Sequence, residues 1–351
     1  MEGNTPELPP AHRLPPELLA RLFFIYASNN DALYDLRWTK LLFVCKRWHD
    51  VGLQTQNLWS FIAWKPVPSP IRAFLTGLGP QEEDVQRMRR IDVQRQRAEH
   101  SLLSVKISLA PHLSPAILAY IPTLWEPSTL RYLEVRAAPE YMSNVLDILA
   151  GCEHPALTDF HISPWKHRRV PGLQPPPSLD DVLTSNLPNL RSLSVLSVSF
   201  NWTLVRNLRT LSITYLTSDT VTFNVVDVVD ALIRCPHLQE LSMRLPTSLG
   251  PNVAVLPAAS LTCISELYIA GDVDTCDILI HAITDIPPSA KITVLGTSIS
   301  QSLQTSPISS IASYMGAHAS QEGAQALRSL AIGFEDPWII ADGPGSARRL
   351  V

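Results

Sequence analysis

Cys45 and His49 stand four residues apart in a stretch of helical character, a spacing that would present a thiolate and an imidazole to one metal ion. No second pair follows at a comparable spacing, so a tetrahedral site cannot be completed, and the two are read as a packing cysteine and a surface histidine. Cys152-Glu153-His154 and Cys235-Pro236-His237 again join a thiol to an imidazole, each where a helical pattern gives way to an extended one, which marks them as structural thiols. G-x-S-x-G, G-x-x-x-x-G-K-[ST] and H-E-x-x-H are all missing, and with them the usual hydrolase, nucleotide-binding and metalloprotease residues. Gly343-Pro344-Gly345-Ser346, close to Arg348 and Arg349, reads as a flexible tail and not as a phosphate cradle. The expectation is a chain that is not an enzyme, with no catalytic residues, no metal and no cofactor. The enzymatic alternative is an unrecognised site in an α/β domain, which a deep polar pocket holding paired titratable groups would reveal.

If the chain does no chemistry itself, its elements must position surfaces, and composition bounds what those are. With 351 residues, 46% hydrophobic and 17% charged, there is material for about two globular domains. A net charge of −4 and a pI near 6.2 argue against a nucleic-acid partner. The start, MEGNTPELPP, has neither a basic nor an apolar leader region, and no apolar run approaches a membrane span, so a cytoplasmic or nuclear protein without a membrane partner is expected. Cys45, Cys152, Cys235, Cys263 and Cys276 contain no C-x-x-C pair and read as free, buried thiols of a reducing compartment. Asn201-Trp202-Thr203 matches a glycosylation sequon, but without a secretory route it carries no weight.

Leu14-Pro15-Pro16-Glu17 opens a helix: proline is tolerated in a first turn, and the acid favours the positive end of the dipole. Leu18, Leu19, Leu22, Phe23 and Ile25 give that helix a broad apolar stripe. A second helix carries Leu41, Val44, Cys45 and Trp48 on one face, and Leu58-Trp59 and Phe61-Ile62 close the segment. A core of about fifty residues is marginal alone, so it should lean on a neighbour and leave apolar surface exposed.

Leu-Pro-x-Glu-Leu-Leu, then Val-Cys-Lys-Arg-Trp, then Leu-Trp resembles the F-box family, in its F-box-like, fungal form. Its members dock on the small Skp-type adaptor subunit, and through it on a cullin, in SCF-type cullin-RING ubiquitin ligases. The resemblance implies that Leu14, Pro15, Leu18, Leu19 and Leu22 face the adaptor, and that Val44, Cys45 and Trp48 hold the helices together or join that surface, with Trp59 packing at the exit. The departure lies between the helices. Residues 27–38 make the connection longer than in the compact family form, so the middle helix need not follow the family geometry.

Beyond a disordered N-terminus (1–11) and the F-box-like helical domain (12–64), residues 65–100 read as a proline-rich linker and a charged helix, with a domain edge near 65. In that helix Glu83 and Arg87 stand at i, i+4, and the interleaved acids and arginines suit a solvated, salt-bridged face. From 101 to 340 one template recurs: Leu130-x-x-Leu133-x-Val135, Leu157-x-x-Phe160-x-Ile162, Leu190-x-x-Leu193-x-Val195, Leu208-x-x-Leu211-x-Ile213, Leu238-x-x-Leu241-x-Met243, Ile264-x-x-Leu267-x-Ile269 and Leu327-x-x-Leu330-x-Ile332. The unit around Ile292-Thr293-Val294 is weaker, and 341–351 form a flexible tail. Helical patterns over 142–150, 179–185 and 225–234 precede Pro155, Pro188 and Pro236, which stop each helix and start an extended run.

Helix, proline stop and short strand can bury their leucines only by stacking on the next unit, which describes an α/β leucine-rich-repeat-like solenoid of alternating helices and short parallel strands. The asparagine expected after each template is absent, so the repeats should be irregular. A conventional parallel α/β sheet stays open as the alternative. In a solenoid the intervening residues Tyr132, Glu134, Arg136, Asp159, His161, Glu240, Arg244, Glu266 and Tyr268 line one concave face that would hold an unknown protein target. The resemblance and the repeats together imply a substrate-recognition adaptor of a ubiquitin ligase. The alternative is a repeat scaffold with a degenerate F-box that binds partners outside any ligase.

Overall fold

The computed structural model describes residues 14–30, 32–65, 80–111, 113–125, 127–165, 178–185, 187–215, 224–245, 256–297 and 305–321. They form two compact units, divided between Leu193 and Ser194. The Leu327 template, the expected N-terminal disorder and the expected tail lie outside the described residues.

The first unit opens with α1 (Pro16–Asn29), which has proline in its first turn and Glu17 at its positive end, as the sequence predicts. Its inner line is Leu19, Phe23 and Ala27, all buried. Within the long connection, Leu36 takes a left-handed conformation with φ 60° and turns the chain into a 3-10 helix, Arg37–Phe43. There Trp38 is fully buried, edge-on to Trp59 with centroids 4.9 Å apart. Helices α2 (Lys46–Gln54) and α3 (Gln56–Trp59) follow. Trp48 packs on Phe23 at 5.2 Å, and the Trp59 indole N–H donates to the Gly52 carbonyl at 3.0 Å. Gly52 is the point of closest approach, because a Cβ there would run into the Leu42 side chain and stand 3.3 Å from Phe23. Gly52→Ala should therefore cost about 1–3 kcal/mol, read from urea unfolding.

The chain then continues directly into β1 (Phe61–Trp64), which pairs in parallel with the later strand Leu103–Leu109. The helical segment thereby contributes the first strand of the sheet in its own unit. Helix α4 (Pro80–Ala98) is charged as expected, with Arg87 3.9 Å from Asp84, and it also packs on the sheet. It buries Ile91, Gln94 and Ala98, and the Gln94 amide donates to the Phe61 carbonyl at 2.6 Å. Arg97 lies over Trp59 at 4.4 Å and Arg87 over Trp64 at 5.1 Å. Desolvated cation–π contacts and apolar stems fix these arginines, so this helix is more than a solvated salt-bridged face.

Next come β2 (Leu103–Leu109), α5 (Pro115–Tyr120), β3 (Leu130–Ala137), α6 (Pro139–Ala150), β4 (Asp159–Pro164) and α7 (Asp180–Ser185). The strands lie in chain order, β1-β2-β3-β4, all parallel. Template residues Leu130, Leu133 and Val135 are fully buried, whereas Tyr132, Glu134 and Arg136 between them are half-buried, which is the alternation of a strand with one dry and one wetter face. Met142, Val145, Leu146 and Leu149 make the inner side of α6.

The unit boundary falls inside β5 (Ser192–Leu196). The second unit holds β6 (Thr210–Thr214), α8 (Val225–Ile233), β7 (Glu240–Arg244), β8 (Ala259–Ser260), β9 (Glu266–Asp272), α9 (Val273–Ala282), β10 (Ile283–Thr284), β11 (Lys291–Thr297) and α10 (Thr305–Ala319). Strands β6-β7-β9-β11 are parallel and in chain order, and β8 with β10 forms a separate pair. Asn224 caps α8 and Asp272 caps α9, each accepting a backbone N–H two residues on. The Arg234 guanidinium donates to the carbonyls of Trp202 (2.8 Å) and Val205 (3.2 Å), tying the end of α8 to a short 3-10 turn, Trp202–Leu204.

The fold is thus α/β with parallel strands. The helices expected over 142–150, 179–185 and 225–234 are present, and the weak Ile292 unit is a full strand. The cysteines depart from expectation: Cys235 and Cys276 are buried, Cys45 is half-buried, and Cys152 and Cys263 are exposed. Cys152 lies in the turn between α6 and β4 and Cys263 in the turn between β8 and β9, both at the surface.

Candidate functional site

The first candidate surface is on α1. Leu18, Leu22 and Ile25 follow one another at i, i+4 and i+7, about a third of a turn around the helix from the buried line. They are 51%, 42% and 50% exposed. Phe43 and Val44, at the junction of the 3-10 helix with α2, are 86% and 58% exposed. That junction is held along α1 from both sides: Lys40 lies over the Tyr26 ring at 5.2 Å, and the Arg47 guanidinium donates to the Leu14 carbonyl. With Phe24, 39% exposed, this small helical segment holds six exposed large apolar side chains, which makes it a candidate interaction surface.

Of the residues that the F-box resemblance puts toward an adaptor, Pro15, Leu18, Leu22 and Val44 are exposed, and Leu14, Cys45 and Trp48 are half-buried. Leu19 is a correction. It is wholly buried, one step around the helix from Leu18, and belongs to the core shared with α2 and the 3-10 helix. Phe24, Ile25 and Phe43 are the exposed residues that the sequence reading left out of the surface.

The second candidate surface is the wetter strand face of the first unit. Register brings Ser104, Tyr132 and Asp159 into one row and Lys106, Glu134 and His161 into the next. Glu134 is the hub: Lys106 Nζ is 3.1 Å from Oε2, Arg136 reaches Oε1 through Nη2 (2.9 Å) and Nε (3.0 Å), and the Tyr132 hydroxyl donates to Oε2 at 3.1 Å. The Tyr132 and His161 rings stand 5.1 Å apart. The structure thereby gathers Tyr132, Glu134, Arg136, Asp159 and His161, five of the nine residues expected on a binding face. Sequence reasoning missed Tyr34 and Lys106. Tyr34, from the long connection, lies edge-on to Phe61 at 5.4 Å with Lys106 over its ring at 4.5 Å. The signal for Lys106 was its place between Val105 and Ile107 in an alternating run; nothing in the sequence pointed Tyr34 at the sheet.

Burial alone would push the Glu134 carboxyl up, but Lys106, Arg136 and the Tyr132 hydroxyl outweigh it and hold it below the ordinary carboxylate range. Burial, then the Glu134 charge, pushes the Tyr34 and Tyr132 hydroxyls up. Burial also holds the His161 and His154 imidazoles below their usual value of 6.5. A histidine whose folded pKa is depressed supports the fold above its unfolded pKa and loses that support as pH falls through the folded one. The melting temperature should therefore fall as pH drops below about 6.5, and His154→Gln with His161→Gln should flatten that slope, as thermal scans between pH 7.5 and 5 will test. Glu134 follows the same direction in a lower window, below the usual carboxylate value of 4.5.

In the second unit, Glu240 and Glu266 are register neighbours, with Lys291 Nζ 2.6 Å from Glu266. Tyr268 stands beside Ser242 and Thr293, and Arg244 beside Thr214 and Ala270. All four named residues occupy the positions between buried template residues, at the expected places on their strands.

Among the described residues no group of three or more His, Cys, Asp or Glu is arranged to hold a metal ion, and no helix is long and apolar enough to cross a membrane. Cys45 immediately precedes α2 and His49 lies on its exposed side, turned toward Asp50 at 3.4 Å. Compared with protein-family models and with curated proteins, the chain matches none.

Proposed function

We propose that the chain is a substrate-recognition adaptor of an SCF-type cullin-RING ubiquitin ligase, with residues 12–64 as an F-box-like docking segment and the repeated helix and strand units as an irregular leucine-rich-repeat-type solenoid that holds a protein target. The observation that carries the reading is the exposed apolar stripe Leu18, Leu22 and Ile25 with Phe43 and Val44, on the two helical elements whose sequences resemble the docking elements of that family. Folding alone would bury such a stripe; a partner repays the cost of leaving it in water.

The solenoid reading draws support from strand order and burial. In each unit the strands follow chain order without the reversal of a doubly wound sheet, and template residues are dry while the residues between them are wetter. Doubly wound parallel strands are covered on both faces and read as continuous apolar runs. Catalysis would belong to partners, and the chain would supply the two surfaces.

Affinity purification of the intact chain from cells is the test. Recovery of a Skp-type adaptor together with a cullin is expected, and ubiquitin transfer to a co-purifying protein in a reconstituted ligase should depend on the chain. Absence of the adaptor removes the ligase reading. Retention without transfer favours a scaffold that binds partners outside any ligase.

A further inference from the structure

The residue directly after the first template leucine is Arg131, Thr158, Arg191, Arg209, Gln239 or Ser265 in the described units, and Arg328 in the unit outside them. Four of these seven are arginine and none is acidic, although the chain has more acids than lysines and arginines (32 against 28). The next position along the same template carries Asp159, Glu240 and Glu266, so the absence of acids is confined to this one row.

Backbone bonding fixes the row in space within each unit. The Thr158 N–H donates to the Arg131 carbonyl at 2.9 Å and the Arg191 N–H to the Thr158 carbonyl at 2.8 Å, so the three are successive rungs at the entry edge of the strands. Two strand spacings separate the arginines, about 10 Å. In the second unit Gln239 N–H donates to the Arg209 carbonyl and Ser265 N–H to the Gln239 carbonyl, both at 2.7 Å, which repeats the row, and Arg206 stands exposed three residues before Arg209. Arg131, Arg191 and Arg209 are all exposed, and their side chains make no ion pair or hydrogen bond among the described residues. By contrast, α4 carries Glu82, Glu83 and Asp84 a turn before its arginines, and Arg87 lies 3.9 Å from Asp84.

We infer that this arginine row is a docking edge for an acidic segment of a protein target, with carboxylates about 10 Å apart reaching Arg131 and Arg191. The inference rests on the proposed function for its setting and names the class of target: a chain segment rich in aspartate or glutamate. A guanidinium offers paired donors that match a carboxylate, and an unpaired guanidinium in water surrenders no internal partner when it binds one. A net charge of −4 opposes general attraction of acidic peptides, so binding of one reports a local positive edge.

The test uses the full chain and a fluorescein-labelled deca-glutamate peptide, followed by fluorescence anisotropy. The parent should bind with an affinity that falls as salt rises, and Arg131→Glu with Arg191→Glu should weaken it by about tenfold or more. Arg89→Glu with Arg90→Glu, on the exposed side of α4, should leave it unchanged. The neutral pair Arg131→Gln and Arg191→Gln should weaken binding to an intermediate degree with unchanged circular dichroism, which separates charge from folding. A parent that does not bind the peptide, or equal weakening by the α4 pair, overturns the inference. The row variants should still retain a Skp-type adaptor. A chain that binds the peptide through these arginines without retaining the adaptor removes the ligase reading and leaves the acidic-segment site standing.

Discussion

Leu18→Asp with Leu22→Asp is expected to lower retention of a Skp-type adaptor by about a hundredfold or more, because docking would have to desolvate two carboxylates against an apolar surface. Both side chains are only half covered, so the stability of the chain itself should fall by no more than about 1–2 kcal/mol, the part due to helix propensity and the like charges at i, i+4. Phe43→Asp with Val44→Asp should give the same separation of docking from folding, since these residues are more exposed still. Leu19→Ala is the contrasting variant: one residue along α1 but wholly buried, it should cost about 2–5 kcal/mol. Urea unfolding and adaptor pull-down on the same preparations separate the two outcomes. Equal loss of stability in all variants would mean that the stripe belongs to the core.

Trp38→Ala should be the most destabilising single change in the helical segment, at about 3–5 kcal/mol. Its ring is enclosed by Trp59 and reaches the closely packed Gly52, and Trp59 in turn holds the Gly52 carbonyl. Truncation would leave a cavity between the 3-10 helix, α2 and α3. Loss of near-ultraviolet dichroism together with early urea unfolding is the expected signature. A variant as stable as the parent would show that the long connection is dispensable to the segment.

The ends of elements were legible wherever a local rule set them. Pro15-Pro16 starts α1, and Pro155 and Pro236 separate α6 and α8 from the strands that follow, because proline acts on its own neighbours. Template leucines marked β3, β4 and β6 through their strict alternation. What stayed hidden depended on tertiary choice. On α1, Leu18 and Leu19 are equally apolar, and only the packing of Phe23 on Trp48 decides which of the two stripes turns inward. The connection at 27–38 reads only as an insertion longer than the family form, yet Trp38 fills the helical core and Tyr34 joins Lys106 on the sheet, contacts with residues 21 and 72 positions away. The α4 arginines look solvated because sequence cannot show that tryptophan faces lie beneath them. On the candidate site, strand period put Tyr132, Glu134 and His161 on one face, while the convergence of three donors on Glu134 required register across strands.

Hydrogen–deuterium exchange of the full chain with and without a purified Skp-type adaptor tests the central claim most directly. Protection confined to residues 14–25 and 41–48, with the strands of both units unchanged, is the result that the docking assignment predicts. No protection at saturating adaptor, or protection that falls on the strands and spares α1, would contradict it.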